Sequence, residues 1–112
     1  MKNSFYCLFL VCILLSCSKD DSNANSCDAS ITYTSKVASI INKSCAVSGC
    51  HISGGSGNGN FSTLSEIKAK VDNGSFKKRA IDEATMPPVG SSFALSSEEK
   101  LILKCWVENG AK

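Results

Sequence analysis

The sequence predicts a small all-α domain with long loops, and three observations lead to this fold class. Apolar side chains recur at helical spacing in several segments after residue 34, and capping residues or glycines stand at their ends. Glycine-rich and proline-containing stretches separate these segments. The chain shows no convincing pair of strands and no internal repeat. Of the 112 residues, roughly 85 form the predicted domain, and a domain of that size often needs a covalent staple or a cofactor.

Two predicted helices flank a glycine-rich loop. The first covers residues 34–45 (TSKVASIINKSC), with Thr34 or Ser35 as its cap. Its apolar face consists of Val37, Ile40 and Ile41. The loop SGGSGNGN, residues 53–60, does not match a phosphate-binding fingerprint, because no strand precedes it and the glycine spacing differs. The second helix covers residues 63–73. Its apolar face consists of Leu64, Ile67 and Val71, and it is expected to end at Gly74.

The last two predicted helices lie on either side of Met86-Pro87-Pro88, which breaks any helix and favours an extended stretch. Residues 75–84 form a short helix. The basic run Lys77-Lys78-Arg79 within it is either a solvated face or a surface for docking or for pairing with carboxylates. The closing helix, residues 96–110, begins with a capping box and ends at a glycine. Its capping pair is Ser96 with Glu99, and its expected buried stripe is Leu101, Ile102, Cys105 and Trp106.

The N-terminal segment resembles the signal of a bacterial lipoprotein. Residues 1–16 contain one lysine and an apolar run of about eleven residues, shorter than the roughly 20 that span a bilayer. Leu14-Leu15-Ser16-Cys17 resembles a lipobox, which implies cleavage before Cys17 and a lipid on that cysteine. The next residues, SKDDS, resemble the export tag of Bacteroidetes surface lipoproteins. We therefore expect an exported outer-membrane lipoprotein, with surface display favoured. Residues 17–30 form a flexible tether and residues 31–112 the domain. The alternative is a cleaved signal followed by a polar linker.

Processing leaves a nearly neutral domain with four cysteines to explain. Loss of residues 1–16 removes one lysine, so the formal net charge falls from +2 to +1. This balance gives no reason to expect a nucleic-acid partner. Cys17 takes the lipid, and the remaining cysteines are Cys27, Cys45, Cys50 and Cys105. Because exported proteins keep disulfides, some of these thiols can be paired.

The motif CAVSGCH, residues 45–51, indicates the chemistry of the chain. Covalent attachment of haem needs two thiols that add to the vinyl groups and a histidine that binds iron from the same side. The usual spacing is C-x-x-C-H, whereas the segment AVSG separates Cys45 from Cys50 here. The extra residues can bulge outward, with the flexible Gly49 helping the bend, while Cys50 and His51 stay adjacent.

Met86 is the candidate partner of His51 in a haem site. After loss of the N-terminal segment, the chain has one histidine and one methionine. A His/Met axial pair occurs in c-type cytochromes and raises the reduction potential. An ordinary core methionine is the alternative, but beside CAVSGCH the ligand role is favoured.

Residues 35–112 resemble a class I cytochrome c domain of the kind found in Bacteroidetes lipoproteins and planctomycete-type cytochromes. The matching segments are VASIINKSC, GCH, MPP and LSSEEKLILKCWVENGA. The resemblance implies three to four helices around one covalent haem c, with the first and last helices crossing. It also implies that Cys45 and Cys50 are thioether donors and that His51 and Met86 are the axial ligands of the iron. The spacer departs from the common pattern. Many class I members use a backbone carbonyl in a proline-containing loop after the histidine to orient the imidazole. The loop after His51 contains no proline, so another carbonyl must take this role.

The remaining residues are expected in supporting roles. We predict a disulfide between Cys27 and Cys105 that ties the start of the domain to the last helix, and two free buried thiols are the alternative. Phe61 and Val89 are expected to form part of the wall of the haem pocket. Trp106 and Ile41 are expected to pack where the first and last helices cross. The sequence therefore predicts a lipid-anchored monohaem electron carrier, not an enzyme, that exchanges electrons with redox partner proteins of the cell envelope.

Three other interpretations use the same residues. In a haem-free surface binding module, Cys45 and Cys50 would form a disulfide, which leaves His51 and the Met-Pro-Pro turn without a role. A zinc site at the CAVSGCH motif lacks a fourth ligand at suitable spacing. A catalytic Cys-His pair needs two side chains that face each other and an orienting group, which sequence neighbours seldom achieve. The disulfide-stapled module is the main alternative to the cytochrome.

Overall fold

The computed structural model describes residues 26–112, and this part of the chain is helical without a β-strand. Its helices are α1 (Ala38–Ser44), α2 (Leu64–Asp72), α3 (Ser75–Lys77) and α4 (Ser97–Glu108). Two π-helical turns adjoin them: Tyr33–Val37 runs into α1, and Lys78–Asp82 continues α3. The all-α class predicted from the sequence is confirmed. The predicted signal peptide, the lipid site at Cys17 and the first part of the tether lie outside the described residues. Within residues 26–112, no helix has the length and apolar content needed to cross a membrane.

The helical segment that contains α1 begins earlier than the sequence indicates. Thr32, not Thr34 or Ser35, is its cap. The Thr32 hydroxyl accepts a hydrogen bond from the Ser35 backbone N–H at 3.2 Å, and the Ser35 hydroxyl accepts one from the Thr32 N–H at 2.9 Å. This is a capping box in which a serine replaces the usual glutamate or glutamine, so the sequence pattern does not reveal it. The predicted apolar face is buried, and it consists of Val37, Ile40 and Ile41.

A tight turn joins α2 to α3. Gly74 has a φ of 78°, a left-handed conformation that ends α2 and lets the chain enter α3 at once. The predicted helix over residues 75–84 is formed by α3 together with the Lys78–Asp82 turn. The buried side chains of this region are Ile67, Val71, Phe76 and Ala80.

The capping box predicted for α4 is confirmed. The Ser96 N–H donates to the Glu99 carboxylate at 2.8 Å, and the Glu99 N–H donates to the Ser96 hydroxyl at 3.1 Å. The same carboxylate accepts a hydrogen bond from the Lys43 ammonium group, which links α1 to α4. The predicted stripe is wrong at one position, because Leu101 is 46% exposed and Leu103 is fully buried. The two residues lie roughly 200° apart around the helix, so they cannot face the same core.

The core brings the last helix against the beginning of the domain. Trp106 and Ile41, which the sequence places at the helix crossing, are both fully buried in one hydrophobic cluster. The Trp106 indole N–H donates to the Lys112 carbonyl at 3.0 Å, and the Tyr33 N–H donates to the same carbonyl at 2.7 Å. This carbonyl therefore holds α4 against the Tyr33–Val37 turn.

A disulfide between Cys27 and Cys105 fastens the start of the described chain to α4, with the two Cα atoms 5.1 Å apart. These are the two cysteines that the sequence prediction pairs. Beside the bond, the Asn109 side-chain amide donates to the Asp28 carbonyl at 2.9 Å. The sequence assigns residues 27–30 to the flexible tether, whereas these contacts hold Cys27 and Asp28 on the domain.

Candidate cofactor site

A cavity of about 590 Å³ lies between the end of α1, the loop that follows it, the α2–α3 pair and the segment after Met86. It brings together all four residues that the sequence marks as cofactor ligands: Cys45, Cys50, His51 and Met86. The apolar part of its wall consists of Phe61, Phe76, Ala80, Pro87, Pro88 and Phe93. The cavity is therefore a mainly apolar space with two sulfhydryls, one imidazole and one thioether at its surface.

The two cysteines reach the cavity from the C-terminal end of α1 and the loop that follows it. Cys45 is buried, Cys50 is half-buried, and both are free thiols. Burial, and to a lesser extent the neighbouring Cys50, raises the pKa of the Cys45 thiol to about 11. Because the thiolate is the nucleophilic form of cysteine, the protonated Cys45 is a poor candidate for a catalytic nucleophile.

The four-residue spacer forms a tight turn between the cysteines. The Cys50 N–H donates to the Val47 carbonyl at 3.0 Å, and Gly49 adopts a left-handed φ of 79°. The His51 N–H then donates to the Cys45 carbonyl at 3.2 Å, so the motif closes on itself. Gly49 therefore supplies the bend that the longer spacer requires.

The imidazole of His51 is oriented by a backbone carbonyl. Its Nδ1 atom lies 3.1 Å from the carbonyl oxygen of Gly59. Because a carbonyl only accepts hydrogen bonds, Nδ1 carries the proton in the neutral ring and Nε2 keeps its lone pair. A Cβ atom at Gly57 would lie 2.7 Å from Nδ1, so the loop can pass this close only without a side chain at that position.

Phe61 covers one face of the same imidazole. The two ring centroids are 4.1 Å apart and the ring planes differ by 3°. The Phe61 N–H donates to the His51 carbonyl at 2.9 Å, which joins the two residues through the backbone as well. Phe61 also lines the cavity, as the sequence leads us to expect.

Val89 does not line the cavity, so its expected role as a wall residue is wrong. It is 91% exposed and occupies the tip of a turn. The Ser91 N–H donates to the Pro88 carbonyl at 3.0 Å, which leaves Val89 and Gly90 at the two central positions. Phe93, after the turn, contributes to the wall instead.

Met86 is held at the cavity by contacts of its backbone. The N–H groups of Thr85 and Met86 donate to the Arg79 carbonyl at 2.8 Å and 3.1 Å. These bonds fix the start of the Met-Pro-Pro segment against the Lys78–Asp82 turn. Met86 and His51 are far apart in the sequence, and the packing of α3 and its π-helical extension brings both to the same cavity.

The charged groups at the cavity are cationic. Lys70 and Arg79 line it, and among the described residues of its wall none is acidic. Lys70 donates to the Asn58 side chain at 2.9 Å, and Arg79 Nε donates to the Thr85 hydroxyl at 2.8 Å. The other two members of the basic run make ion pairs outside the cavity, Lys77 with Asp82 and Lys78 with Glu83.

One buried hydroxyl at the cavity has no protein partner. Ser44 is the only buried polar residue of the described chain, and within residues 26–112 its Oγ atom has no hydrogen-bond partner. Ser44 lines the cavity. An unsatisfied buried hydroxyl lowers stability, so this serine is a local cost to the fold beside the cavity.

Sequence reasoning misses several residues of this site. The run of glycines in residues 53–60 is the only signal for the close approach of the loop to His51, and it identifies neither Gly57 nor Gly59. Nothing in the sequence marks Lys70 or Ser44 as cavity residues, because each becomes one only through packing. In the part of the chain that the structure describes, no three His, Cys, Asp or Glu side chains form a metal-ion cluster.

Comparison with known proteins finds no family model, no curated protein and no solved structure that matches this chain.

Proposed function

We propose that this protein is a lipid-anchored, monohaem c-type cytochrome that carries single electrons at the cell envelope. The observation that carries the proposal is the convergence of Cys45, Cys50, His51 and Met86 on one cavity. These are two thiols, one imidazole with a free Nε2 and one thioether, which match the donor set for covalent haem with His/Met ligation.

The remaining surface of the cavity also fits haem. Its volume of about 590 Å³ lies within the range of about 300–1,000 Å³ that is usual for cofactor pockets. Its apolar wall suits the porphyrin ring, and the cations Lys70 and Arg79 suit the two carboxylates at the porphyrin edge.

Each ligand residue has a separate role in this proposal. Cys45 and Cys50 would hold the haem through thioether bonds, and the Nε2 atom of His51 and the sulfur of Met86 would bind its iron. When bound, haem supplies one-electron chemistry between Fe(III) and Fe(II). An apolar wall and a methionine ligand would both favour the reduced state and raise the reduction potential.

The cellular part of the proposal rests on the N-terminal sequence. Lipid on Cys17 would anchor the protein to the outer membrane, with the described domain as the redox unit and envelope proteins as its electron donor and acceptor. We propose an electron carrier and not an enzyme, and burial raises the pKa of the Cys45 thiol, which disfavours this residue as a catalytic nucleophile.

The test is export of the full chain in a host with c-type maturation machinery, followed by intact mass and a visible spectrum. The expected result is a mass increase of one haem that survives denaturation, a sharp α-band on reduction and a weak Met-to-iron band in the red. Cys45→Ala and Cys50→Ala should each leave the haem held by one bond. Ser48→Ala, in the exposed part of the same loop, should match the unaltered protein.

A colourless product with a Cys45–Cys50 disulfide would contradict the proposal. That result would instead support the haem-free, disulfide-stapled binding module, whose cavity would then serve another ligand.

A further inference from the structure

A continuous series of aromatic contacts leads from His51 into the core. The imidazole stacks on Phe61 at 4.1 Å, Phe61 meets Phe76 edge-to-face at 6.3 Å, and Phe76 meets Trp106 edge-to-face at 5.9 Å. The interplanar angles of the last two pairs are 65° and 90°. The last two pairs have the edge-to-face geometry that aromatic pairs favour.

The core fixes the plane of Phe61. Phe61 is 7% exposed, Phe76 is 4% exposed and Trp106 is fully buried. Trp106 is held at its other end by the hydrogen bond from its indole N–H to the Lys112 carbonyl. Buried side chains in a close-packed core sit in single rotamers, so the ring of Phe61 presents a fixed surface to His51.

The hydrogen bond to Gly59 does not by itself fix the plane of the imidazole. A carbonyl oxygen accepts hydrogen bonds from donors over a broad range of directions. The bond therefore sets the tautomer and the general direction of Nε2, and some rotation of the ring remains possible. The parallel stack on Phe61, with planes 3° apart, removes that remaining freedom.

We infer that Phe61 is a positioning residue that sets the plane of the His51 imidazole and so its rotation about the bond from Nε2 to the iron. This inference rests on the proposed function. In a low-spin ferric haem, the orientations of both axial ligands decide how unpaired spin is distributed over the porphyrin, so rotation of the imidazole with the methionine ligand unchanged alters this distribution. The pattern of the haem methyl proton resonances reports the distribution.

The test is proton NMR of the oxidised, haem-loaded protein with Phe61 changed. Phe61→Leu should alter the order and spread of the haem methyl resonances while the visible spectrum keeps its His/Met signature. Phe61→Tyr, which retains the aromatic ring, should restore the pattern of the unaltered protein. Val89→Ala is the control, because Val89 is exposed and lies outside the cavity. An unchanged methyl pattern in Phe61→Leu overturns the inference and leaves the proposed function intact.

A second measurement needs no substitution and so does not depend on the folding of a variant. In the reduced protein, nuclear Overhauser effects are expected between the ring protons of His51 and Phe61, and their absence overturns the inference. If the chain is exported without haem, the proposed function fails, and the ring protons of His51 still test the stack. Phe61→Leu should then move them downfield, because they lose the shielding of the phenyl ring.

Discussion

The Nδ1 atom of His51 and the carbonyl oxygen of Gly59 lie 3.1 Å apart, and this contact sets the tautomer and the general direction of the only imidazole of the chain. From the sequence we expect a backbone carbonyl in this role, but the loop after the motif contains no proline that would mark its position. The structure identifies Gly59, in the glycine-rich loop that returns beneath the histidine. The loop therefore brings its backbone close to the His51 imidazole, which is possible because glycine has no side chain.

Gly57→Ala tests this packing. The new Cβ would lie 2.7 Å from Nδ1 of His51, so the imidazole or the loop must shift, with an expected loss of about 1–3 kcal/mol in unfolding free energy. Urea denaturation measures this loss, and in the haem-loaded protein the Met-to-iron band should weaken. Gly54→Ala is the control, because its Cβ would meet no atom within 4 Å although its left-handed φ adds strain. Equal effects of the two changes on the Met-to-iron band would contradict the packing argument.

Met86→Ala tests the second axial ligand. If the Met86 sulfur binds iron, its removal should abolish the Met-to-iron band and lower the reduction potential, by part of the roughly 0.8 V over which axial ligands tune haem. Spectroelectrochemistry measures both quantities on one sample. Val89→Ala is the matched control from the same segment, because Val89 is exposed and lies outside the cavity. An unchanged potential in Met86→Ala would show that another group completes the iron site.

Removal of the Cys27–Cys105 disulfide should strongly destabilise the domain. The bond joins residues that are 78 positions apart, and the chain-entropy model assigns about 4–5 kcal/mol to the closure of such a loop. The double change Cys27→Ser and Cys105→Ser should therefore lower the urea midpoint. A reducing agent should lower the midpoint of the parent protein towards that of the double variant and leave the variant unchanged. Equal midpoints for the two proteins would mean that the bond does not restrain the unfolded chain.

Glu99 should make stability depend on pH in the acidic range. The hydrogen bond from Lys43, followed by that from the Ser96 N–H, lowers the pKa of the Glu99 carboxyl below its ordinary 4.5. A carboxyl with a depressed pKa in the folded state stabilises above its unfolded pKa, and this contribution is lost as the pH falls through the folded value. The urea concentration at the unfolding midpoint should therefore decrease as the pH is lowered below about 4.5. Glu99→Gln should reduce this dependence on pH.

The control for this pH dependence is Glu98→Gln. Glu98 is the exposed neighbour of Glu99 on α4 and has no part in the capping box. Its replacement should preserve the acid-dependent loss of stability. If Glu98→Gln and Glu99→Gln flatten the pH profile equally, the pairing with Lys43 is not the cause.

Local signals predict most of the helical structure correctly. Ser96 and Glu99 are three residues apart, so the capping box is readable from the sequence alone, and Gly74 marks the end of α2 in the same way. The apolar face of α1 follows from helical periodicity. One error occurs where periodicity is ambiguous: Leu101 and Leu103 are both apolar on one helix, and only packing against the rest of the domain decides which of them is buried.

In the candidate site, too, some features follow from the local sequence and others only from the tertiary structure. By itself, the sequence determined the all-α class, the adjacent Cys50 and His51, and the short list of residues able to hold a cofactor. These are local properties, which depend on residue type and spacing. Only the tertiary structure decided that Met86 reaches the cavity of His51, that Val89 points away from it, and that Gly59 and Phe61 orient the imidazole. These relationships depend on loop dihedral angles and on contacts between segments far apart in the chain. No pattern of neighbouring residues encodes them.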